Sequence, residues 1–477
     1  MAKQSLKYIT VKGIIWSSIE RFSVQGVQFL VMLVIARVLD PKDFGMVGML
    51  AIFLAVAQSL IDSGFSQALI RKQDRKDIDN DTVFYFNVLV SVLLYLILYA
   101  IAPWVADFYK EPQLVNLMRV ICLVVIINSF AVVQRAIYTA SLDFKTQARA
   151  SFIAALISGI VGVYMAKVGY GVWTLVWQQL LNAGINTLLL WVFSNWYPHI
   201  QYSWKSFREL FSFGSKLLVS GLLDTIYNNM YPLLIGKVFN ATSLGYYYQA
   251  DRFTQLPSSN LTGVIQRVTY PVLCSIQDNA ECLRDDFRKL LRMSAFVVFP
   301  LMCLLAGVAH PLVTMILGEK WSFAAVLIIP LCFNMMWWPI HSINLCLLQV
   351  KGRSDLFLKL EIIKKCIGVC VVLCSIPFGV IAMCYATIFQ SVVALFINTY
   401  YTGKLAKVGF STQMKDLSKN LFTSLLVFGC VYLVTMLFDS IVTKLIIGIL
   451  SGLLFFIIIV SLFKFEELSF VKSIIRR

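Results

Sequence analysis

Apolar runs of about 20 residues recur along this chain almost without interruption, and each is long enough to cross the hydrocarbon of a bilayer as a helix. By that ruler about fourteen spans fall at 11–38, 44–70, 82–107, 113–140, 147–167, 170–194, 209–237, 244–275, 286–317, 321–349, 354–377, 379–402, 417–438 and 441–463. The joints between them are short and carry turn chemistry, as at Asp40-Pro41, Glu111-Pro112 and Gly318-Glu319. None holds a separate soluble domain. With 59% hydrophobic and 14% charged residues in 477, there is too little polar side chain to cover a water-facing surface, so the bilayer is the solvent. The expected fold class is an all-α integral membrane protein. Met1 to Thr10 is polar, and the apolar segment after it runs past the length of a signal-peptide core, so no cleavable signal is expected.

Lys and Arg placement sets the orientation of a membrane chain. With the N-terminus inside, cytoplasmic segments hold 27 of them, against seven on the other side: Arg37, Lys42, Lys110, Lys167, Lys237, Lys320 and Lys444. That asymmetry predicts an even number of spans with both termini cytoplasmic. It also accounts for most of the net charge of +16 without nucleic acid, for which there is no folded module or basic-aromatic platform.

Cysteine and histidine carry little. Cys366, Cys370 and Cys374 stack on one face of span eleven with no His or acidic partner, and free Cys behaves there as a small hydrophobe. His341 lies deep in span ten near Trp337, Trp338 and Asn344, where packing is the commoner role and proton relay the rarer one.

The chain repeats itself. Ile35 to Gly45 reads IARVLDPKDFG and Ile235 to Gly245 reads IGKVFNATSLG, an offset of 200 residues; a looser match pairs the linkers at Lys145 and Arg353, 208 apart. Two six-helix bundles of the same orientation follow, at 1–200 and 201–405. Residues 406–477 add two further spans and a tail. Such repeats are the architecture of transporters, with substrate between halves that rock.

Residues three and four apart share a helix face. In span one, Ser17, Ser18, Arg21, Gln25 and Gln28 form a polar stripe with Glu20 beside it. In span eight, Gln255, Ser258, Ser259, Thr262 and Gln266 form another, flanked by Asp251 and Arg252. Span two offers Gln58, Asp62 and Ser66; span seven offers Asp224 and Asn228. These four helices open each repeat. Lining a wet cavity accounts for such stripes, and interhelical hydrogen bonding accounts equally for the Ser, Thr and Gln residues. Arg21 and Arg252 favour the cavity, since Arg does not lose its proton. Arg119, Arg135 and Arg267 lie near span ends, where snorkelling explains them as well. Lys365 is expected to pair with Glu361 four residues before it, whereas Lys364 points elsewhere and is less easily dismissed. An Arg-lined cavity selects an anion, and the guanidinium fork matches phosphate.

Three segments carry a family likeness: Ser59 to Lys72 (SLIDSGFSQALIRK), Gln134 to Lys145 (QRAIYTASLDFK) and Val168 to Leu181 (VGYGVWTLVWQQLL). They resemble matching places in bacterial polysaccharide transporters, the Wzx-type flippases of the multidrug/oligosaccharidyl-lipid/polysaccharide exporter superfamily. The resemblance covers essentially the whole chain, without a single diagnostic motif. It implies two six-helix lobes with two added C-terminal helices, set in the bacterial cytoplasmic membrane. It also implies translocation of an undecaprenyl-diphosphate-linked oligosaccharide from the cytoplasmic to the outer leaflet. The resemblance implies Arg21 and Arg252 as the diphosphate contacts, with Lys364, Arg119 and Arg135 as secondary candidates; Gln25, Asp62, Asp251 and Gln255, on the polar stripes, complete the expected substrate-binding set. Membrane lipid and the polysaccharide polymerase machinery are the expected partners. No cofactor is expected, and coupling to a proton, to sodium, to membrane potential or to consumption of product stays open.

The runner-up is a drug or metabolite antiporter of the same superfamily, for which an acidic cavity is the better match. A membrane glycan polymerase or ligase is disfavoured by the short external joints. Nor is there a nucleophile-base constellation, a metal motif or a phosphate-binding glycine loop, so the chain is not expected to be an enzyme.

Overall fold

The structure is a computed structural model, and it describes residues 23–62, 64–72, 74–465 and 467–468. Every regular element among them is helical. In chain order these are α1 (Ser23–Val38), α2 (Pro41–Asp62), α3 (Phe65–Arg71), α4 (Asp77–Tyr109), α5 (Leu114–Ile121), α6 (Leu123–Ser129) and α7 (Val132–Ala140). Then come α8 (Phe144–Val168), α9 (Trp173–Val192), α10 (Trp204–Asn228), α11 (Met230–Val238), α12 (Ala241–Ser275), α13 (Ala280–Gly307) and α14 (Ala309–Leu317). The last are α15 (Ser322–Met335), α16 (Trp338–Val350), α17 (Ser354–Ser375), α18 (Gly379–Ala406), α19 (Phe410–Met436) and α20 (Ile441–Leu462).

Each expected span coincides, over the described residues, with a helix or with a broken one; residues 11–22 of span one lie outside them. Span four is three short helices, α5 to α7, and span seven breaks at Asn229, whose side chain donates back to the Thr225 carbonyl at 2.8 Å. Among the described residues, nine helical stretches are long and apolar enough to cross a membrane. Long α10 and α12 are not among them, because helices with polar faces lower their own mean hydropathy.

The chain divides into two compact units between Gly245 and Tyr246. In the first, α10 and α11 lie antiparallel along α2, and glycines make the approach. Gly236 faces Met49 and Tyr109, Gly221 faces Ser59, and Gly214 meets the backbone of Gly64. Hydrocarbon gives apolar helices no reason to associate, so small residues that let backbones approach take over. Gly64 also has φ 69°, a left-handed conformation that suits the α2–α3 break and leaves no room for a Cβ. An aromatic cluster of Phe65, Phe84, Trp196 and Phe207 fills the end of the unit where α3, α4 and α10 meet.

In the second unit α19 packs along α13, and α20 packs along α19. Val431 of α19 nests against Gly307, Gly448 and Gly452. Arg288 of α13 holds Asp416 of α19 through two bonds of 2.6 Å, and Asn420 donates to the Arg292 carbonyl at 3.2 Å. The pair of helices outside the repeat is thus docked on this unit. The division at 245 follows contact, whereas lobes at 1–200 and 201–405 are a proposal carried by the sequence repeat; the two differ because α10 and α11 pack on α2.

Candidate functional site

Polar side chains in the spans of the first unit converge on α2. Gln58 donates to Asp62 at 3.2 Å, one helical turn on, and Asn128 of α6 donates to the Gln58 carbonyl at 3.1 Å. Arg135 of α7 acts electrostatically on Asp62, and both residues are exposed. A carboxylate, two carboxamides and a guanidinium therefore share one accessible face at membrane depth. Such a set stays hydrated or meets a polar ligand, because hydrocarbon charges several kcal/mol for each ion. Gln25 of α1 is half-buried; Arg21 lies outside the described residues. Arg119 is not part of this face: it sits in α5, with its guanidinium over the Tyr99 ring at 4.3 Å.

In the second unit the equivalent ladder lies on α12. Gln255 donates to Asp251 at 2.7 Å, Gln255 and Arg252 are exposed, and Asp251 is half-buried. Positions 258 and 262, which match Gln58 and Asp62 at the repeat offset, are Ser258 and Thr262, and they do something else. Both are buried; Ser258 donates to the Met335 carbonyl of α15 at 2.8 Å, and Thr262 donates to Ser258's own carbonyl at 2.8 Å. Gln266 bonds Ser342 of α16. The single stripe expected on span eight is thus divided: an accessible Asp251–Gln255 end, a buried Ser258–Thr262 stretch that glues α12 to α15, and an exposed Gln266 that bonds α16. On α17, Glu361 is held by Lys364 at 2.5 Å. Three residues on the helix face serve as well as four, so Lys364 is not an unneutralised cation.

Sequence reasoning passed over several partners. Asn128, Ser391 and Asn398 carry no sign of their role because their mates are far along the chain. His341 faces α18 with both ring nitrogens, Nε2 at 2.8 Å from Ser391 and Nδ1 at 3.3 Å from Asn398. Asn344 and Gln413 exchange two amide bonds of 3.0 and 2.8 Å, and Thr402 adds a third at 3.1 Å. The Cys366, Cys370 and Cys374 stripe is exposed, and no group of three metal-ligating residues occurs among the described residues.

A membrane-embedded helical bundle with charged, accessible faces on two helices has relatives. The family described as "Polysaccharide biosynthesis protein" matches residues 34–326. The chain belongs to that family. Among family relatives, the teichuronic acid biosynthesis protein TuaB of Bacillus subtilis is 25% identical over 351 residues, 72% of each chain. The lipopolysaccharide biosynthesis protein WzxC of Escherichia coli is 25% identical over 362 residues, 76% of this chain and 74% of its own. In fold, the chain matches the lipid II flippase MurJ, with a TM-score of 0.76 at 14% identity over 94% of this chain and 98% of the other. A multidrug resistance transporter of the MATE family follows at 0.64 and 16% identity, over 83% and 100%. The fold is the one these two multi-pass membrane transporters share.

Proposed function

We propose that this protein is a flippase that carries an undecaprenyl-diphosphate-linked oligosaccharide from the cytoplasmic to the outer leaflet, and is not an enzyme. The observation that carries the reading is the set of ionisable side chains left accessible inside the spans: Arg252 with Asp251 on α12, and Arg135 with Asp62 on α2–α7. Arg21, placed by the sequence on the polar stripe of span one, joins Arg252 as the diphosphate contact. Guanidinium meets phosphate through two parallel bonds, and the carboxamides and carboxylates beside it suit glycan hydroxyls. The polyprenyl tail stays in lipid. Family membership and the names of TuaB, WzxC and MurJ support the substrate class.

The two lobes of the repeat would alternate access around that site, with both termini cytoplasmic. Thiol labelling of cysteines placed at Lys110 and Lys320 is expected from outside intact cells, and labelling at Lys76 and Lys407 is not. The reverse pattern overturns the orientation. Loss of the protein should make the lipid-linked glycan accumulate on the inner leaflet; accumulation of a drug in the cell instead would favour the antiporter reading, which the MATE-like fold supports. A polysaccharide polymerase acting on the exported glycan is the proposed partner.

A further inference from the structure

The two matched segments of the repeat meet each other. Gly45, in the first turn of α2, lies so close to Ala241 that a Cβ would overlap the Ala241 carbonyl; Gly245, in the first turn of α12, stands in the same relation to the Pro41 carbonyl. Position 45 matches 245 and position 41 matches 241 at the repeat offset of 200, so the contact is reciprocal, as across a two-fold axis. Only glycine tolerates such an approach. Beside it, Lys237 at the end of α11 donates to the Phe108 carbonyl at 2.5 Å in the last turn of α4, with its ammonium 4.1 Å from the Phe108 ring centre. A cation suits that position, where a helix presents unpaired carbonyls. Lys42 of α2 pairs with Glu111, just past the same helix end, at 3.1 Å.

We infer that these contacts form an outer latch: the Gly45/Gly245 crossing joins the opening helices of the two repeats, and Lys237 fastens the second repeat to α4 of the first. The latch must part for cargo to leave on the outer side. Its role rests on the alternating-access reading above; its existence as a separable contact does not. A latch made of bare backbone opens without leaving side-chain cavities behind. The cation adds a fastening that water competes for once the crossing loosens.

The test is a distance measurement on the full-length protein in lipid nanodiscs, with spin labels carried on unnatural ketone side chains at Gln113 and Val238, both exposed. The unaltered protein should give one short distance. Gly45→Ala and Gly245→Ala should each raise the separated population by about tenfold or more, because the added Cβ overlaps the facing carbonyl and forces the contact apart. Lys237→Met should raise it about two- to fivefold, the scale of one cation at a helix C-terminus. Lys237 is exposed, so this variant keeps the protein folded where a glycine variant does not. Distances unchanged in Lys237→Met remove the fastening. Distances unchanged in a folded Gly245→Ala overturn the latch altogether. Lengthened distances without any lipid-linked glycan accumulating keep the latch and overturn the flippase reading instead.

Discussion

Two amide-rich clusters sit at membrane depth in this molecule, and they behave oppositely. Between α2 and α6, Gln58, Asp62 and Asn128 form an open chain that ends at exposed Asp62 beside Arg135. Between α16 and α19, Asn344 and Gln413 close on each other, take up Thr402 and the Val408 carbonyl, and are wholly buried. The residue types are nearly the same. In the buried cluster donors and acceptors answer one another, so it works as interhelical glue. In the exposed cluster a charge is left facing outward, and that is what a site for a polar cargo requires.

The contrast is sharpest where a charge is removed. Arg252→Ala combined with Arg21→Ala should abolish glycan export while the protein stays in the membrane, and Lys at either position should restore it in part, since it brings charge without the fork. Full export by the double Ala variant would falsify the cavity assignment. Next in size, a short thiol crosslinker between Phe108→Cys and Lys237→Cys should stop export reversibly, with each single variant as control. Export unaffected by a verified crosslink means that these ends never separate.

The glue cluster should respond as glue. Gln413→Leu alone removes two of the four hydrogen bonds to the Asn344 side chain, leaving those to Ile340 and Thr402, and should cost about 1–3 kcal/mol of stability. The double variant Asn344→Leu/Gln413→Leu should recover much of that, because nothing polar is then stranded. Thermal melts of the purified variants measure it, and a double variant as unstable as the sum would make the cluster more than glue. Asp62→Asn should do the reverse, lowering export with little change in melting temperature. The smallest effect belongs to Lys72, which bonds Glu209 at 3.0 Å and Asp79 at 3.2 Å. Burial pulls its pKa down, and the two carboxylates outweigh it, leaving the ammonium above the ordinary lysine range. The stabilisation is therefore complete below that range and lost only as pH rises through the folded value. Lys72→Met should cost under about 1 kcal/mol and less in high salt.

Much of this protein was legible in its residues alone. Apolar runs of bilayer length give fourteen helical segments, because a backbone in hydrocarbon has no partner but itself. The offset of 200 between Ile35–Gly45 and Ile235–Gly245 announced an internal repeat, and the local pattern announced which helices carry polar faces. Tertiary structure decided what those faces do. The period of a helix says that Gln255, Ser258, Thr262 and Gln266 share a side, but not that Ser258 and Thr262 are buried against α15 while Asp251 and Gln255 stay open. Nor does it say that Gly45 meets Ala241, that Lys364 holds Glu361, or that α10 and α11 pack along α2. Helix formation in a membrane is settled within some twenty consecutive residues. Whether a polar group on that helix is sealed or exposed depends on neighbours that lie tens to hundreds of residues away, and only packing brings them together.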